Sequence, residues 1–501
     1  MSPRSPCPGF SSPCVGSGTC TKSSSPNTNT AKRPGATGQM TALTACRQSS
    51  RCWQRCLSWP GLAPQPLQHG SPPHIPAVPS ARGLASTATA TIRFSPSTRS
   101  LFDEPLGIAV QGLGPRQQVT LRASLRDEAG ELFEAHARYQ AADDGELDLA
   151  RCPALPGGSF SGLEPTGLLW ALQPRKAFWR LVKKDVTTPF RLQLDVLDGH
   201  GDGPGRLLAQ AQHERAFLRD GVRRVPVRDG RIRATLFLPP GQGPFPGVIN
   251  MEGLGGGLCE HKASLLANHG FATLALAYYH FEDLVQKPTK LHLEYFEEAV
   301  NYMLQHTQVK GPGIGLLGFS KGGDLSLAMA AFLKNITAVA TINSPVGNSA
   351  FPLCYKDKMI PPLICEEKYA KVYNNNIIDY SDAMCDPFKA PGNQSLIPIE
   401  KAEAHLLFIA GQDDHIVKSK YHATETYKYL QAQGKQNVQT LICPGAGHCI
   451  DPPFSPFYPI GNHPVFRKRA VLGGELTAYS KAQVRAWLQI QAFFHKHLND
   501  K

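Results

Sequence analysis

A serine flanked by glycines is the first feature of the chain that could do chemistry. It is Ser320, at the centre of a GFSKG motif at residues 318–322. An apolar run at 314–317 precedes it and an apolar stretch at 324–333 follows it, which is the strand–turn–helix context of a nucleophile elbow. The glycines leave room for a tight turn that presents the serine hydroxyl. We therefore predict Ser320 as a nucleophile, with the backbone N–H of Lys321 as a donor to a developing oxyanion.

A serine nucleophile needs a base and an acid, which in this context follow it along the chain in the order acid, then histidine. Asp413 and Asp414 come directly after an apolar run at 404–410, and His448 follows a run that ends at 443. We predict His448 as the base, because strand ends of a parallel sheet share one edge. The residues alone leave open which aspartate orients it and which one caps the following helix. His415 is a rival base, but it is close to the acids and is expected to open that helix.

A glycine-rich loop, EGLGGG at residues 252–257, follows the apolar run at 246–251. Such a loop supplies the second oxyanion donor in this kind of site, and we predict Gly255 for that role. A phosphate-binding loop is the alternative, but no Lys-Ser/Thr pair follows and the loop itself does not match GxGxxG. The sequence shows no spacing typical of metal ligands, so we expect neither a metal nor another cofactor.

The residues from about 222 onward must position these groups. A hairpin is predicted at 225–238, and short apolar runs then alternate with longer helical stretches, which indicates a parallel sheet covered on both faces. The predicted strands are 246–251, 271–279, 313–319, 336–343, 404–410 and 438–443. The predicted helices are 260–269, 291–306, 321–334, 416–432 and 478–498. One side of the last helix is expected to hold Val484, Trp487, Leu488, Phe494 and Leu498. The irregular stretch at 345–400 is long enough to form a cap over a site.

Residues 103–200 have a different rhythm, in which apolar and polar side chains alternate with a period of two. The alternation is clear at 119–125, 133–139 and 190–196, with a turn at 127–130. Strands of this kind bury one face, as in an antiparallel sheet. The pattern predicts an N-terminal β-sandwich.

The first hundred residues account for most of the net positive charge of the 501-residue chain. The whole chain carries a net charge of +12, but residues 1–100 hold ten Lys or Arg and no Asp or Glu. Residues 101–501 are nearly neutral, which argues against nucleic-acid binding by the folded part. A basic, acid-free segment rich in Ser, Thr and Pro is typical of a mitochondrial transit segment, with a disordered tail as the alternative. No apolar run approaches the length of a membrane span.

These observations predict three parts of the chain: a basic disordered leader at 1–92, a β-sandwich domain at 93–220 and an α/β catalytic domain at 221–501. No feature of the sequence indicates an oligomeric state.

Several motifs together resemble one known family, the acyl-coenzyme A thioesterases grouped with bile acid-CoA:amino acid N-acyltransferase. The resemblance covers about residues 95–498. Its motifs are VTLRASLRDE at 119–128, GLEPTGLLW at 162–170, LALAYY at 274–279, LHLEYFEEA at 291–299, GLLGFSKGG at 315–323, GQDDH at 411–415 and FFHKHL at 493–498. The resemblance implies a β-sandwich followed by an α/β-hydrolase domain. It also implies a triad of Ser320, Asp414 and His448 that hydrolyses fatty acyl-CoA thioesters through an acyl-serine.

The same resemblance implies an alternative activity and a location. The branch of the family that conjugates acyl groups to glycine or taurine carries cysteine where Ser320 stands. An acyl-serine ester is more readily left to water, so the serine favours hydrolysis over N-acyl transfer. Peroxisomal members end in a Ser-Lys-Leu-like tripeptide, whereas this chain ends Asn499-Asp500-Lys501. With the basic leader, this predicts the mitochondrial matrix, with the cytosol as the alternative.

Overall fold

The computed structural model describes residues 90–201 and 205–499 of the chain. These residues belong to one compact unit. The leader predicted at 1–92 lies outside the described residues except for its last three positions. Within the described residues, no helix is long and apolar enough to cross a membrane.

The N-terminal part of the described chain consists of two small sheets. Its elements are β1 (Thr91–Ser95), β2 (Arg99–Leu101), β3 (Gly107–Gln111), β4 (Gln118–Arg126), β5 (Leu132–Gln140), β6 (Leu147–Asp148), helix α1 (Gly167–Trp170), β7 (Gln173–Pro174), β8 (Phe190–Asp198) and β9 (Leu207–Ala216). One sheet has the order β1-β3-β6 and the other the order β2-β9-β8-β4-β5-β7. All pairings are antiparallel except β2 with β9.

The predicted alternation is confirmed at 119–125 and 133–139. At 190–196 it is broken by Asp195, which is buried because Arg122 and Gln210 bind its carboxylate. Strands β4 and β5 each bury every second side chain, because one face of the sheet packs on the core and the other faces water. They form the hairpin predicted at 127–130, where the Asp127 carboxylate accepts hydrogen bonds from the amides of Ala129 and Glu131 at 2.9 Å each. An aspartate that binds the amides of its own turn stabilises that turn.

The C-terminal part is built around a larger sheet. Its strands and helices are β10 (Arg223–Val227), β11 (Arg233–Leu238), β12 (Phe245–Met251), α2 (His261–Asn268), β13 (Ala272–Ala277), β14 (Leu291–His292), α3 (Leu293–Gln305), β15 (Val309–Phe319), α4 (Lys321–Phe332), β16 (Ile336–Ile342), β17 (Leu353–Tyr355), β18 (Lys358–Ile360), β19 (Lys371–Tyr373), β20 (Ile377–Asp379), β21 (His405–Gly411), α5 (Ser419–Ala432), β22 (Val438–Cys443), β23 (Ile460–Asn462), β24 (Arg469–Val471) and α6 (Leu476–Asn499). Eight of these strands form one sheet in the order β10-β11-β13-β12-β15-β16-β21-β22.

The eight-stranded sheet is antiparallel only where β10 meets β11 and β11 meets β13, and it is parallel from β13 to β22. Its central strands are buried along almost their whole length, as is required when helices cover both faces. This is the arrangement of an α/β hydrolase, with the elbow between β15 and α4. The predicted hairpin, strands and helices are all present, with bounds shifted by up to four residues.

One prediction about the last helix is wrong. In α6, Trp487, Phe494 and Leu498 are buried as expected, but Val484 is 36% and Leu488 60% exposed. The buried face instead includes Tyr479, Gln483, Ala486, Ile490 and Phe493. Val484 and Leu488 each lie one position beyond a residue of this face, and one residue turns a helix by about 100°.

The stretch predicted as a cap, at 345–400, contains the short strands β17 to β20. They pair with β14, β23 and β24, which come from outside this stretch. Strands β14, β17 and β18 form a three-stranded sheet, and β19, β20, β24 and β23 a four-stranded one. The stretch touches the elbow helix through Asn348 and Ser349. It touches the loop after β21 through Asp379, which hydrogen bonds to His415.

The N-terminal sheets and the hydrolase sheet share one continuous hydrophobic core. Phe102 and Phe190 belong to the same buried cluster as Phe271 and Phe494. A hydrogen bond also links the N-terminal part to the last helix, since the Asp103 carboxylate accepts it from the Trp487 indole at 2.7 Å.

Candidate active site

The turn between β15 and α4 has the geometry of a nucleophile elbow. Ser320 has φ of 51° and ψ of −117°, a conformation that L-residues rarely adopt and that marks a strained turn. The expected need for small residues is confirmed. A Cβ at Gly318 would lie 2.3 Å from the Gly322 carbonyl oxygen, and a Cβ at Gly322 would lie 2.2 Å from the Met251 carbonyl oxygen. Only glycine at these positions lets the strand, helix and neighbouring loop approach so closely.

The structure brings Ser320, Asp414 and His448 together. The Nε2 atom of His448 lies 3.1 Å from Ser320 Oγ. Its Nδ1 atom lies 2.9 Å from Asp414 Oδ2 and 3.0 Å from Oδ1. Asp414 follows β21 and His448 follows β22, so the acid and the base come from loops that continue adjacent strands. All three are buried, and a hydrogen-bonded chain of this kind can pass a proton from hydroxyl to imidazole.

Of the two aspartates, Asp414 contacts His448, whereas the carboxylate of Asp413 makes other contacts. Its carboxylate lies 3.2 Å from His415 Nε2 and accepts a 2.8 Å hydrogen bond from the Gly474 amide. Asp414 also accepts from the amides of Ile416 and Val417, at 2.9 and 3.0 Å. The expectation that the other aspartate caps the next helix is wrong, because no side chain caps the start of α5. Asp414 accepts a hydrogen bond from the hydroxyl of Ser419, the first residue of that helix.

The rival base, His415, has both ring nitrogens occupied. Nδ1 lies 2.9 Å from Asp379 and Nε2 lies 3.2 Å from Asp413. Burial would lower the pKa of His415, but the hydrogen bonds to these two carboxylates raise it to about 10. A histidine with that pKa is a cation at neutral pH and cannot accept a proton. It lies in the loop before α5 rather than opening the helix, and it joins strand β20 to that loop.

Asn343, which the sequence reasoning missed, connects the acid and base loops. Its side-chain N–H₂ group donates to the carbonyl oxygens of Gly447 and His448, at 3.0 and 2.7 Å. Its Oδ1 accepts a 2.6 Å hydrogen bond from the Gly411 amide. Asn343 is fully buried and follows β16, the strand between those that lead to Ser320 and Asp414. The only sequence signal was an amide side chain at a strand end.

The second oxyanion donor was predicted from residues 252–257, which we call the glycine loop. A Cβ at Gly253 would lie 3.2 Å from Ser320 Cβ, whereas a Cβ at Gly255 would meet nothing within 4 Å. The loop thus approaches the serine most closely at Gly253. The amides of Gly256 and Gly257 already donate, to the carbonyl oxygens of Gly253 and Tyr279. The role of Gly255 stays a prediction.

The side chain of Lys321 is not available to a substrate, because it forms a buried ion pair. Its Nζ lies 2.9 Å from Asp324 Oδ1 and 2.8 Å from Asn348 Oδ1, and both charged side chains are 0% exposed. Ser349 donates its amide and hydroxyl to the other Asp324 oxygen. Burial lowers the pKa of Lys321. Its backbone N–H, at the first position of α4, has no helical partner.

A second charged cluster lies behind the glycine loop. Lys262 is 1% exposed and binds both oxygens of Glu252, at 2.8 and 3.0 Å. Arg180, which precedes β8 in the N-terminal part, reaches Asp451 at 2.8 Å, three residues after His448. Burial alone would raise the pKa of Glu252, but the Lys262 ammonium holds it below its usual value. The N-terminal part therefore contacts the loop that carries the histidine.

Within the described residues, no group of three or more histidine, cysteine or acidic side chains is arranged to hold a metal ion.

Sequence comparisons with known proteins agree on one family. The model described as "BAAT / Acyl-CoA thioester hydrolase C terminal" matches residues 291–500, and "Acyl-CoA thioester hydrolase/BAAT N-terminal region" matches residues 103–229. Acyl-coenzyme A thioesterase 6 from Homo sapiens is 57% identical over 412 residues, which cover 82% of this chain and 98% of the relative. The mitochondrial acyl-coenzyme A thioesterase 2 from Mus musculus is 51% identical over 461 residues, covering 92% and 99%. Among solved structures, a dienelactone hydrolase-like promiscuous phosphotriesterase from metagenomic libraries covers 55% of this chain and 98% of its own, with 18% identity and a TM-score of 0.35.

Proposed function

Because this chain belongs to the family of acyl-CoA thioesterases and bile acid-CoA:amino acid N-acyltransferases, we propose that it hydrolyses fatty acyl-CoA thioesters to free fatty acid and coenzyme A. The observation that supports this most directly is the position of His448, within hydrogen-bond distance of both Ser320 and Asp414. A thioester carbonyl beside Ser320 would meet a nucleophile that already has its base in place.

In the proposed reaction, Ser320 Oγ attacks the thioester carbonyl carbon while His448 Nε2 takes the hydroxyl proton. Asp414 stabilises the imidazolium that forms. The tetrahedral oxyanion is held by the backbone N–H of Lys321 and by an amide of the glycine loop. It collapses as the carbon–sulfur bond breaks and His448 returns the proton to the departing coenzyme A sulfur. Water, deprotonated by the same histidine, then attacks the acyl-serine carbonyl carbon. The bond from that carbon to Ser320 Oγ breaks, His448 returns the proton to Oγ, and the fatty acid is released.

The test is coenzyme A release by the purified full chain with saturated acyl-CoAs of two to twenty carbons, followed by chromatography. Chromatography is preferable to a thiol reagent, because the described residues include seven free cysteines. Ser320→Ala should lower turnover by roughly 10⁶ if the triad acts as a unit. A variant that kept a tenth of the activity would exclude Ser320 as the nucleophile. Release that requires added glycine or taurine, with formation of the amide, would instead favour N-acyl transfer.

We also propose that the protein acts in the mitochondrial matrix. Support comes from the basic, acid-free leader and from relatives named as mitochondrial that match 92% of this chain. Other relatives of similar identity include one named as peroxisomal, so the leader is what the test must address. A fluorescent protein fused behind residues 1–92 should enter mitochondria, whereas the chain without these residues should stay in the cytosol.

We also propose that the chain has three parts: a leader to residue 92, an N-terminal domain at 93–220 and a catalytic domain at 221–501. We propose that the two N-terminal sheets pack face to face as a β-sandwich. Their shared buried residues, such as Ile108 in β3 and Leu121 in β4, support this arrangement.

A further inference from the structure

Two adjacent tyrosines hold the carbonyl groups of the glycine loop. The Tyr278 hydroxyl donates to the Glu252 carbonyl oxygen at 2.6 Å and lies 3.1 Å from that of Gly253. The Tyr279 hydroxyl donates to the Leu254 carbonyl oxygen. Both tyrosines follow β13, and both are buried. Three successive peptide groups of the loop are thus bound on one side by two phenolic hydroxyls.

This arrangement fixes the direction of the loop's amides. In a trans peptide group, which is planar, the C=O of one residue and the N–H of the next point in opposite directions. The N–H groups of Gly253, Leu254 and Gly255 therefore point away from the tyrosine hydroxyls. In the part of the chain that the structure describes, no atom accepts a hydrogen bond from these three amides. Donors without a protein partner are what an oxyanion site requires.

The side of the loop away from the tyrosines is the side of the nucleophile. A Cβ at Gly256 would lie 2.6 Å from the ring of Tyr279, whereas a Cβ at Gly253 would lie 3.2 Å from Ser320 Cβ. The loop is therefore enclosed between the tyrosines and the elbow. On its elbow side, Gly322 approaches the Met251 carbonyl oxygen closely, since a Cβ there would lie 2.2 Å from it. The same Cβ would lie 2.7 Å from the Glu252 carbonyl oxygen, so that carbonyl faces the start of α4 as well as Tyr278. The Gly253 amide therefore points away from both, and the amides of Leu254 and Gly255 are the candidates to face the nucleophile.

We propose that Tyr278 and Tyr279 are positioning residues that aim the amides of the glycine loop at the oxyanion formed on attack by Ser320. This inference rests on the proposed hydrolysis. A glycine-rich segment is otherwise free to rotate its peptide groups, and each rotation would turn a donor away from the reacting oxygen. Donors fixed before the reaction stabilise the transition state without reorganisation. Burial raises the pKa of Tyr279 to about 12, so its hydroxyl keeps its proton at neutral pH.

The test removes only the hydroxyl groups. Tyr278→Phe, Tyr279→Phe and the double variant are compared with Tyr295→Phe in the full chain, by steady-state coenzyme A release. Tyr295 is a matched control, because its hydroxyl also donates to a backbone carbonyl, that of Ala277 at 2.5 Å, but does not touch the glycine loop. We expect kcat to fall roughly tenfold in each single variant and roughly a hundredfold in the double variant, with KM changed by less than about threefold. Tyr295→Phe should keep kcat within about twofold of the parent.

A second readout does not depend on the acyl substrate. Phosphonylation of Ser320 by a fluorophosphonate also develops charge on an oxygen in the oxyanion site, so its rate should fall by a similar factor in the Tyr278 and Tyr279 variants and not in Tyr295→Phe. Losses of kcat and labelling rate no larger than those of Tyr295→Phe, or a rise in KM alone, would overturn the positioning role. Ser320→Ala in the same assay separates the two proposals: if it stays active, or if the parent releases no coenzyme A, the proposed hydrolysis fails and this inference fails with it.

Discussion

His448 Nε2 lies 3.1 Å from Ser320 Oγ although 128 residues separate them in the chain. Strand β15 leads to Ser320 and strand β22 leads to the loop that holds His448, and β16 and β21 lie between those two strands. The contact therefore depends on the register of four neighbouring strands and on the loops that continue them. The activity of the site therefore depends on the conformation of these loops as well as on the reacting atoms.

The two neighbouring aspartates should behave differently when each becomes asparagine. Asp414→Asn should lower kcat by about 10⁴, because an amide in place of the carboxylate favours the wrong histidine tautomer. Asp413→Asn should stay within about tenfold of the parent, since Asp413 contacts His415 and Gly474 rather than His448. Steady-state kinetics of the pair, with melting temperatures as a check on folding, decide the matter. Equal losses in both variants would contradict the assignment of Asp414.

Asn343→Ala should impair turnover without touching a reacting atom. The change removes the hydrogen bonds that tie Gly411, Gly447 and His448 together, and a catalytic group displaced by about 1 Å can cost roughly a hundredfold in rate. Asn437→Ala is the control, because it also loses an amide-to-carbonyl hydrogen bond, to Ala404 at 2.6 Å. Asn437 and Ala404 precede β22 and β21, whereas the loops tied by Asn343 follow these strands. The expected result is a lower kcat for Asn343→Ala alone, and unchanged kinetics would refute the connecting role.

Lys321→Met should destabilise the protein by about 3–5 kcal/mol, because it leaves the carboxylate of Asp324 buried and unpaired. The ion pair is 0% exposed on both sides, so water cannot replace the lost partner. The double variant Lys321→Met with Asp324→Leu should recover at least half of that loss, since apolar pairs often replace buried ion pairs at little cost. Urea denaturation measures both free energies of unfolding. A double variant no more stable than the single one would show that Asp324 is not the source of the loss.

The contribution of His415 to stability should depend on pH in a definite direction. Its pKa is raised to about 10 in the folded chain, from an unfolded value of about 6.5. A raised pKa stabilises the fold fully below the unfolded value and loses that effect as pH rises towards 10. His415→Gln should therefore lower the free energy of unfolding by roughly 2 kcal/mol at pH 6, and by progressively less above pH 7. Denaturation at pH 6, 8 and 9.5 tests this, and a difference that grows with pH would be the opposite of the expectation.

Local patterns made the elbow and most of the elements predictable. Ser320 is recognisable because strand, turn and helix are consecutive in the chain. An apolar run marks the strand, glycines mark the turn, and a longer apolar stretch marks the helix. His448 was predictable because it lies in a loop of small residues that follows a strand. Asp413 and Asp414 could not be separated from residues alone, since adjacent side chains at a strand end differ only in the direction that the backbone gives them.

Contacts between distant segments were not predictable in this way. Asn343, Tyr278 and Arg180 have no local signal that names their partners, and Arg180 meets Asp451 across 271 residues. The glycine loop shows the same limit, because four glycines look alike in sequence and only Gly253 lies against Ser320. In α6, Val484 and Leu488 were misplaced because apolar residues occur on both sides of the buried face.

The hydrogen bond between Asp103 and Trp487 joins residues 384 positions apart, and it gives the chain a particular order of assembly. At a synthesis rate of roughly 5–20 residues per second, Asp103 leaves the ribosome roughly 20–80 s before its partner. The same interval separates Phe102 from Phe494 in the shared core. The contact between Asp103 and the last helix therefore forms only after nearly the whole chain has been made. We expect this waiting period to be the time at which the nascent protein depends most on chaperones.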